Sequence, residues 1–154
     1  MLTVIIDARG SDAGLPGLLA QLTAGAVDGV VRQVLIVAPA AQPGIDALCE
    51  ETGAEPHPSI PAAARAARAE LLMILPAALR LRDGWVGALN AHLAAGAKPA
   101  RVAGLAGGGL FNRGPTGLLV QAARVGGQQD GIDIQGLRRQ LGLPRLGLGG
   151  QRIG

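Results

Sequence analysis

Eleven acidic residues, two histidines and one cysteine supply most of the groups with which this 154-residue chain could ligate a metal, move a proton or attack an electrophile. Asp7 follows the apolar run Leu2–Ile6, and Asp12 comes soon after it in the breaker-rich stretch ARGSDAG. Carboxylates just past a strand can contribute to a divalent-cation or nucleotide site, and can equally cap the turn that follows. Asp130 and Asp133 precede the helical segment LRRQL, where a carboxylate can act as a general base or as an N-cap. Cys49 shares a helix side with Ile45 and Leu48 in IDALCEE and reads as a buried thiol, because neither His57 nor His92 falls in a pattern that marks a catalytic partner. The run Gly107–Gly109 lacks the GxGxxG or GxxxxGK[ST] spacing that cradles a phosphate against a helix N-terminus.

The loop after the apolar run Leu71–Leu75 is informative for what it lacks. In open α/β sheets ligands bind where such strands end. Here the chain continues Pro76, Ala77, Ala78, Leu79, none of which can hold a metal or move a proton.

Positioning these groups requires a core, and the composition provides one. Hydrophobic residues make up 49% and charged residues 16% of the chain, so it can bury a large apolar fraction, and its length suits one domain over residues 1–154. Trp85 and Phe111 are its aromatic residues, so the packing is aliphatic. The net charge of +3 does not by itself indicate a nucleic-acid partner. Its fourteen basic residues include a single lysine, Lys98, and are spread along the chain without a recognised binding motif. The lone cysteine excludes an intrachain disulfide. The amino terminus lacks a basic region before its apolar run, and no uncharged apolar stretch approaches the ~20 residues that span a bilayer. These features predict a cytoplasmic protein without a transmembrane segment.

Strands and helices alternate along the chain. Strands are expected at Leu2–Ile6, Val34–Val37, Ala54–His57, Leu71–Leu75, Arg101–Leu105 and Leu118–Val120. Helices are expected at Leu15–Val27, with Ser11 or Asp12 as cap; from Pro43, closed by Gly53; at Ile60–Ala69; at Trp85–Ala95, capped by Asp83; and from about Ile132 to Leu141. Residues 143–154, LPRLGLGGQRIG, could add an edge strand. This alternation predicts an α/β fold with a mostly parallel, Rossmann-related sheet between two helical layers.

The order of landmarks resembles the GT-A glycosyltransferases, in particular the family 2 nucleotide-sugar transferases. The opening LTVIIDARGSDAGLPGLLAQL is similar to that family's first strand and helix, and RQVLIVAPAAQPG to its second strand. ELLMILPAALRLRDGW resembles the strand and loop usually written L-L-F-L-D-A-D-x-x-L-P-P-G-W, and GLLVQAARVGGQQDGIDIQGLRRQLG the later acceptor-side segment. The resemblance implies a sheet ordered 3-2-1-4 that places Asp7 at the topological switch point, with a nucleotide sugar as donor.

It also marks what is missing. The family's nucleoside-contacting aspartates correspond to Ala38 and Pro43, and the aspartates that hold Mg²⁺ or Mn²⁺ and the sugar diphosphate correspond to Pro76 and Ala78. Asp133, or Asp130 under a shifted alignment, matches the base that deprotonates the acceptor hydroxyl. Asp7 and Asp12 are the remaining candidates for donor binding, and a divalent metal is expected only if its site is rebuilt around Asp7. The resemblance thus implies either a non-catalytic binding protein, which could act with a protein partner, or a metal-independent inverting transferase. The nucleotidyltransferase branch of the fold is a more distant resemblance, because its glycine- and lysine-rich loop is missing after Ile6.

Overall fold

The computed structural model describes residues 1–10, 14–38, 42–103, 116–143 and 145–146. Strands β1 (Leu2–Asp7), β2 (Val31–Val37), β3 (Glu55–His57), β4 (Leu71–Pro76), β5 (Ala100–Ala103), β6 (Thr116–Gln121) and β7 (Arg145–Leu146) form one sheet of order β3-β2-β1-β4-β6-β5-β7. Parallel pairing joins β3, β2, β1 and β4, as the 3-2-1-4 expectation requires. β6 runs antiparallel to both β4 and β5, and β7 pairs parallel with β5, which makes Arg145–Leu146 an edge strand.

Alternation along the strands divides the core between two faces. Leu2, Val4 and Ile6 of β1 and Met73 and Leu75 of β4 pack with helices α1 (Leu15–Val27), α2 (Pro43–Thr52) and α4 (Trp85–Ala94). Ile5, Leu72 and Ile74 face α3 (Ile60–Ala66), α5 (Ala122–Val125) and α6 (Ile134–Leu141). The result is the three-layer αβα sandwich that the sequence predicts. Gly25 of α1 lets this helix close on the sheet, because a Cβ there would lie 2.5 Å from the Trp85 ring and 2.7 Å from Val31 Cγ2.

Several boundaries differ from expectation for identifiable reasons. β2 begins at Val31 rather than Val34; Arg32 and Gln33 interrupt its apolar run in sequence, yet Leu2 pairs with Val31. α3 ends at Ala66 rather than Ala69 because the next amides have other partners. Arg68 N donates to Gln33 Oε1 at 2.8 Å and Ala69 N to Thr3 Oγ1 at 3.3 Å, while Thr3 Oγ1 donates to Gln33 Oε1 at 3.1 Å. Arg68 therefore stands beyond the helix that carries Arg65. Asp83 does not cap α4: Gly84, at φ 82°, is the N-cap residue and no side chain accepts there. α1 likewise starts from Gly14 without a side-chain cap, and Ser11 and Asp12 lie outside the described residues. Gly53, at φ 75°, closes α2 as expected. The one-turn helix α5 has no counterpart in the sequence pattern after β6.

Cys49 is buried against the α1–α2 face. Burial raises its thiol pKa above the ordinary 9.0, and the charge of Asp46 raises it further. A pKa raised by folding stabilises the folded state below the ordinary value and loses that contribution as pH rises through the folded one. Native protein is therefore expected to react with a thiol reagent at neutral pH much more slowly than urea-unfolded protein, and its stability to fall as pH climbs past about 9. Comparable rates in the two states would contradict this placement.

Candidate functional site at the ends of β1 and β4

The switch point lies where β1 and β4 end side by side. Asp7 pairs in register with Val37 of β2 and with Pro76 of β4, and the chain beyond is pinned by Ala8 N donating to Val37 O at 2.8 Å and Ala77 N to Asp7 O at 3.1 Å. Strand alternation sends Asp7 and Pro76 to the face of Ile5, Leu72 and Ile74, the face that α6 covers. Ala77 turns into the opposite core and Ala78 is exposed.

Asp7 is already engaged by a partner from its own chain. Arg9 Nε donates to Asp7 Oδ1 at 3.0 Å, Arg9 Nη2 to Asp7 Oδ2 at 3.1 Å, and the Arg9 backbone N–H to Oδ1 at 3.1 Å. This is a two-pronged guanidinium–carboxylate pair, the stronger and more directional form of ion pair. The hydrogen bond to Asp7 raises the Arg9 pKa above its ordinary value against the opposing pull of partial burial, and the charges of Asp7 and Asp133 add to it. Arg9 Nη2 also donates to the carbonyl of Ile132 at 2.9 Å, which ties the turn before α6 to the end of β1.

Asp133, the candidate base, stands next to this tie and is exposed. Its Oδ1 accepts from Gly136 N at 2.7 Å, so it is the N-cap of α6. Asp130 is held elsewhere: Ser59 Oγ donates to its Oδ1 at 3.2 Å, and Arg65 Nη2 lies 3.7 Å from the same atom. The structure thus brings Asp7 and Asp133 into one neighbourhood through Arg9 and leaves Asp130 outside that tie. Replacing Asp133 by Ala is expected to cost about 1 kcal/mol through the lost cap, whereas Asn, an equally good cap, should leave stability nearly unchanged. Chemical denaturation of the two variants measures the difference, and equal losses would contradict the capping role.

Loop 77–84 contributes a second guanidinium. Arg80 Nη1 donates to Leu79 O at 2.9 Å, and the group lies against Gly14 and Gly17 in the first turn of α1, where a Cβ at either glycine would collide with it. The same loop is clamped by Gln21 of α1, whose Nε2 donates to Leu81 O at 2.7 Å and whose Oε1 accepts from Leu81 N at 2.9 Å.

The described residues do not fit the divalent cation that the family resemblance implies. Pro76 and Ala78 offer no side-chain oxygen, both oxygens of Asp7 are held by Arg9, and among the described residues no group of three or more His, Cys, Asp or Glu is placed to hold a metal ion. Asp12 and the run Gly107–Gly109 lie outside the described residues. Arg9 and Arg80 are absent from the residues that the sequence singles out. The available signal for Arg9 is the D-x-R spacing at a strand end, which lets the guanidinium fold back on the carboxylate.

Among the described residues, no helix is long and apolar enough to cross a membrane. No protein-family model matches the chain, and no curated protein matches it in sequence. Solved structures do match in fold. The chain is similar to a 4-diphosphocytidyl-2C-methyl-D-erythritol synthase at TM-score 0.62 and 14% identity, over 98% of this chain and 89% of that one. It is similar to the same synthase from Anaerococcus prevotii at TM-score 0.58 and 12% identity, over 99% and 90% of the two chains. A third likeness, to the 2-C-methyl-D-erythritol 4-phosphate cytidylyltransferase from Thermus thermophilus, has TM-score 0.52 and 19% identity over 97% and 89%. At these identities the likeness concerns architecture alone: the chain shares the Rossmann-related α/β fold of these solved structures.

Proposed function

We propose that this chain is a glycosyltransferase family 2-like protein with an altered nucleotide-sugar donor site, one that binds its ligand without a divalent cation and does not turn the donor over. The observation that carries this reading is the replacement of the expected metal ligands by Pro76 and Ala78 beside an Asp7 whose two oxygens are held by Arg9. A divalent metal that holds a sugar diphosphate needs hard oxygen ligands from the protein as well, and the side chains of Pro76 and Ala78 supply none. The fold likeness to cytidylyltransferases supports a nucleotide-related ligand and adds cytidine nucleotides to those worth testing.

The test is a thermal-shift panel of UDP-, GDP- and CDP-sugars in EDTA and again in Mg²⁺ or Mn²⁺, combined with an assay for nucleotide release. A ligand that binds only the folded state raises the melting temperature by mass action. The expected result is a rise in EDTA that metal leaves unchanged, with no release. A rise that requires metal, or none with any nucleotide, would overturn the reading.

One observation favours a second reading, an active metal-independent inverting transferase with Asp133 as base. The Arg9–Ile132 bond holds the turn carrying Asp133 beside the switch point. Sugar transfer in EDTA that is lost in Asp133→Asn and kept in Asp130→Asn would establish it. Because Asn preserves the cap, such a loss would report chemistry rather than folding.

A further inference from the structure

Where the family resemblance calls for a metal ion, the chain places a cation of its own. We propose that the Arg9 guanidinium takes the place of that ion and binds one phosphoryl group of a ligand through Nη1, with no divalent cation. The inference rests on the reading above that ligands occupy the crevice at the ends of β1 and β4.

A guanidinium has five N–H donors. In Arg9 the Nε donor goes to Asp7, and Nη2 is spent on Asp7 and the Ile132 carbonyl, while the two Nη1 donors enter no hydrogen bond among the described residues. The side chain remains 24% exposed, more than the 14% of the carboxylate that holds it. Asp7 and Ile132 fix the plane of the group, so the ordering cost of a long side chain is met before a ligand arrives. Guanidinium N–H pairs match phosphate oxygens in geometry.

Charge limits the size of the ligand group. Arg9 is balanced by Asp7, and Asp133 contributes a further negative charge to its surroundings. Such a balance suits a single phosphoryl group better than a diphosphate, which in the family's own scheme needs a divalent ion to offset it.

The test uses the full ¹⁵N-labelled chain and follows the arginine Nε–Hε resonances during titration with inorganic phosphate in EDTA and then in MgCl₂, with pyrophosphate and acetate as comparison ligands. The Arg9 resonance is expected to shift saturably with phosphate, with a dissociation constant unchanged within about twofold by Mg²⁺, and acetate should bind more weakly. Arg9→Lys, which keeps the charge and loses the fork, should weaken phosphate binding at least about fivefold. The double variant Asp7→Asn/Arg9→Gln, which leaves no unpaired carboxylate, should abolish binding while remaining folded by circular dichroism. No saturable shift, a requirement for Mg²⁺, pyrophosphate bound far more tightly than phosphate, or undiminished affinity in these variants would overturn the inference. Metal-free nucleotide-sugar binding that ignores Arg9→Lys would sink it and leave the proposed function standing. Phosphate binding at Arg9 with no nucleotide raising the melting temperature would do the reverse.

Discussion

Replacing Gly117 by Ala is expected to destabilise the protein by about 3 kcal/mol, at the upper end of the cost of overpacking. Gly117 lies in β6, and a Cβ there would come 2.6 Å from the Ile74 carbonyl oxygen and 2.5 Å from Leu75 Cδ2, with Val102 at 3.4 Å. Leu75 could change rotamer, but the carbonyl belongs to the backbone of β4 and cannot yield without moving that strand. The pairing affected is the antiparallel register of Ile74 with Leu118 and Met73 with Leu119, the junction between the parallel half of the sheet and β5–β7. A urea melt compared with wild type measures the loss. A change below about 0.5 kcal/mol, the range typical of surface substitutions, would show that the strands approach less closely than described.

Gln21→Leu is expected to cost about 2–3 kcal/mol and to loosen the loop after β4. The Gln21 amide satisfies both backbone groups of Leu81, a residue 1% exposed, so a leucine of similar volume would leave a donor and an acceptor without partners. Each stranded buried group costs roughly 1–3 kcal/mol, and partial access of water reduces the sum. Hydrogen exchange should localise the effect, with faster exchange at Leu81 and little change in β1 or β2. Unchanged protection at Leu81 would contradict the clamp.

Much of the architecture is legible in the sequence because hydrophobic periodicity and breaker residues report local structure directly. The runs Leu2–Ile6 and Leu71–Leu75, the α1 pattern, Pro43 at the start of α2 and Gly53 at its end all fall where the chain places them. What sequence alone misses comes from partners distant along the chain. α3 stops early because Thr3 and Gln33 capture the amides of Ala69 and Arg68 across the sheet, and no pattern within residues 60–69 records that. The site shows the same division. That the loop after Leu75 lacks carboxylates can be read from the sequence itself, and the family resemblance matches Pro76 and Ala78 to the missing ones. That Arg9 folds back on Asp7 has only the D-x-R spacing as its signal, and that Arg9 reaches Ile132 near the other end of the chain requires the fold to bring the end of β1 and the turn before α6 together. Asp133 reads from sequence as a helix-start carboxylate, and the capping bond to Gly136 is visible in the structure.

We propose that, among the described residues, the crevice at the ends of β1 and β4 offers no divalent-cation site, because the Asp7 carboxylate is committed to Arg9. Titrating Mn²⁺ into the protein in the presence of a nucleotide sugar, with free aquo-Mn²⁺ followed by electron paramagnetic resonance, tests this directly. The protein is expected to remove no stoichiometric Mn²⁺ from the free pool beyond what the nucleotide itself binds. One equivalent of Mn²⁺ bound per chain, and lost on Asp7→Asn, would contradict it.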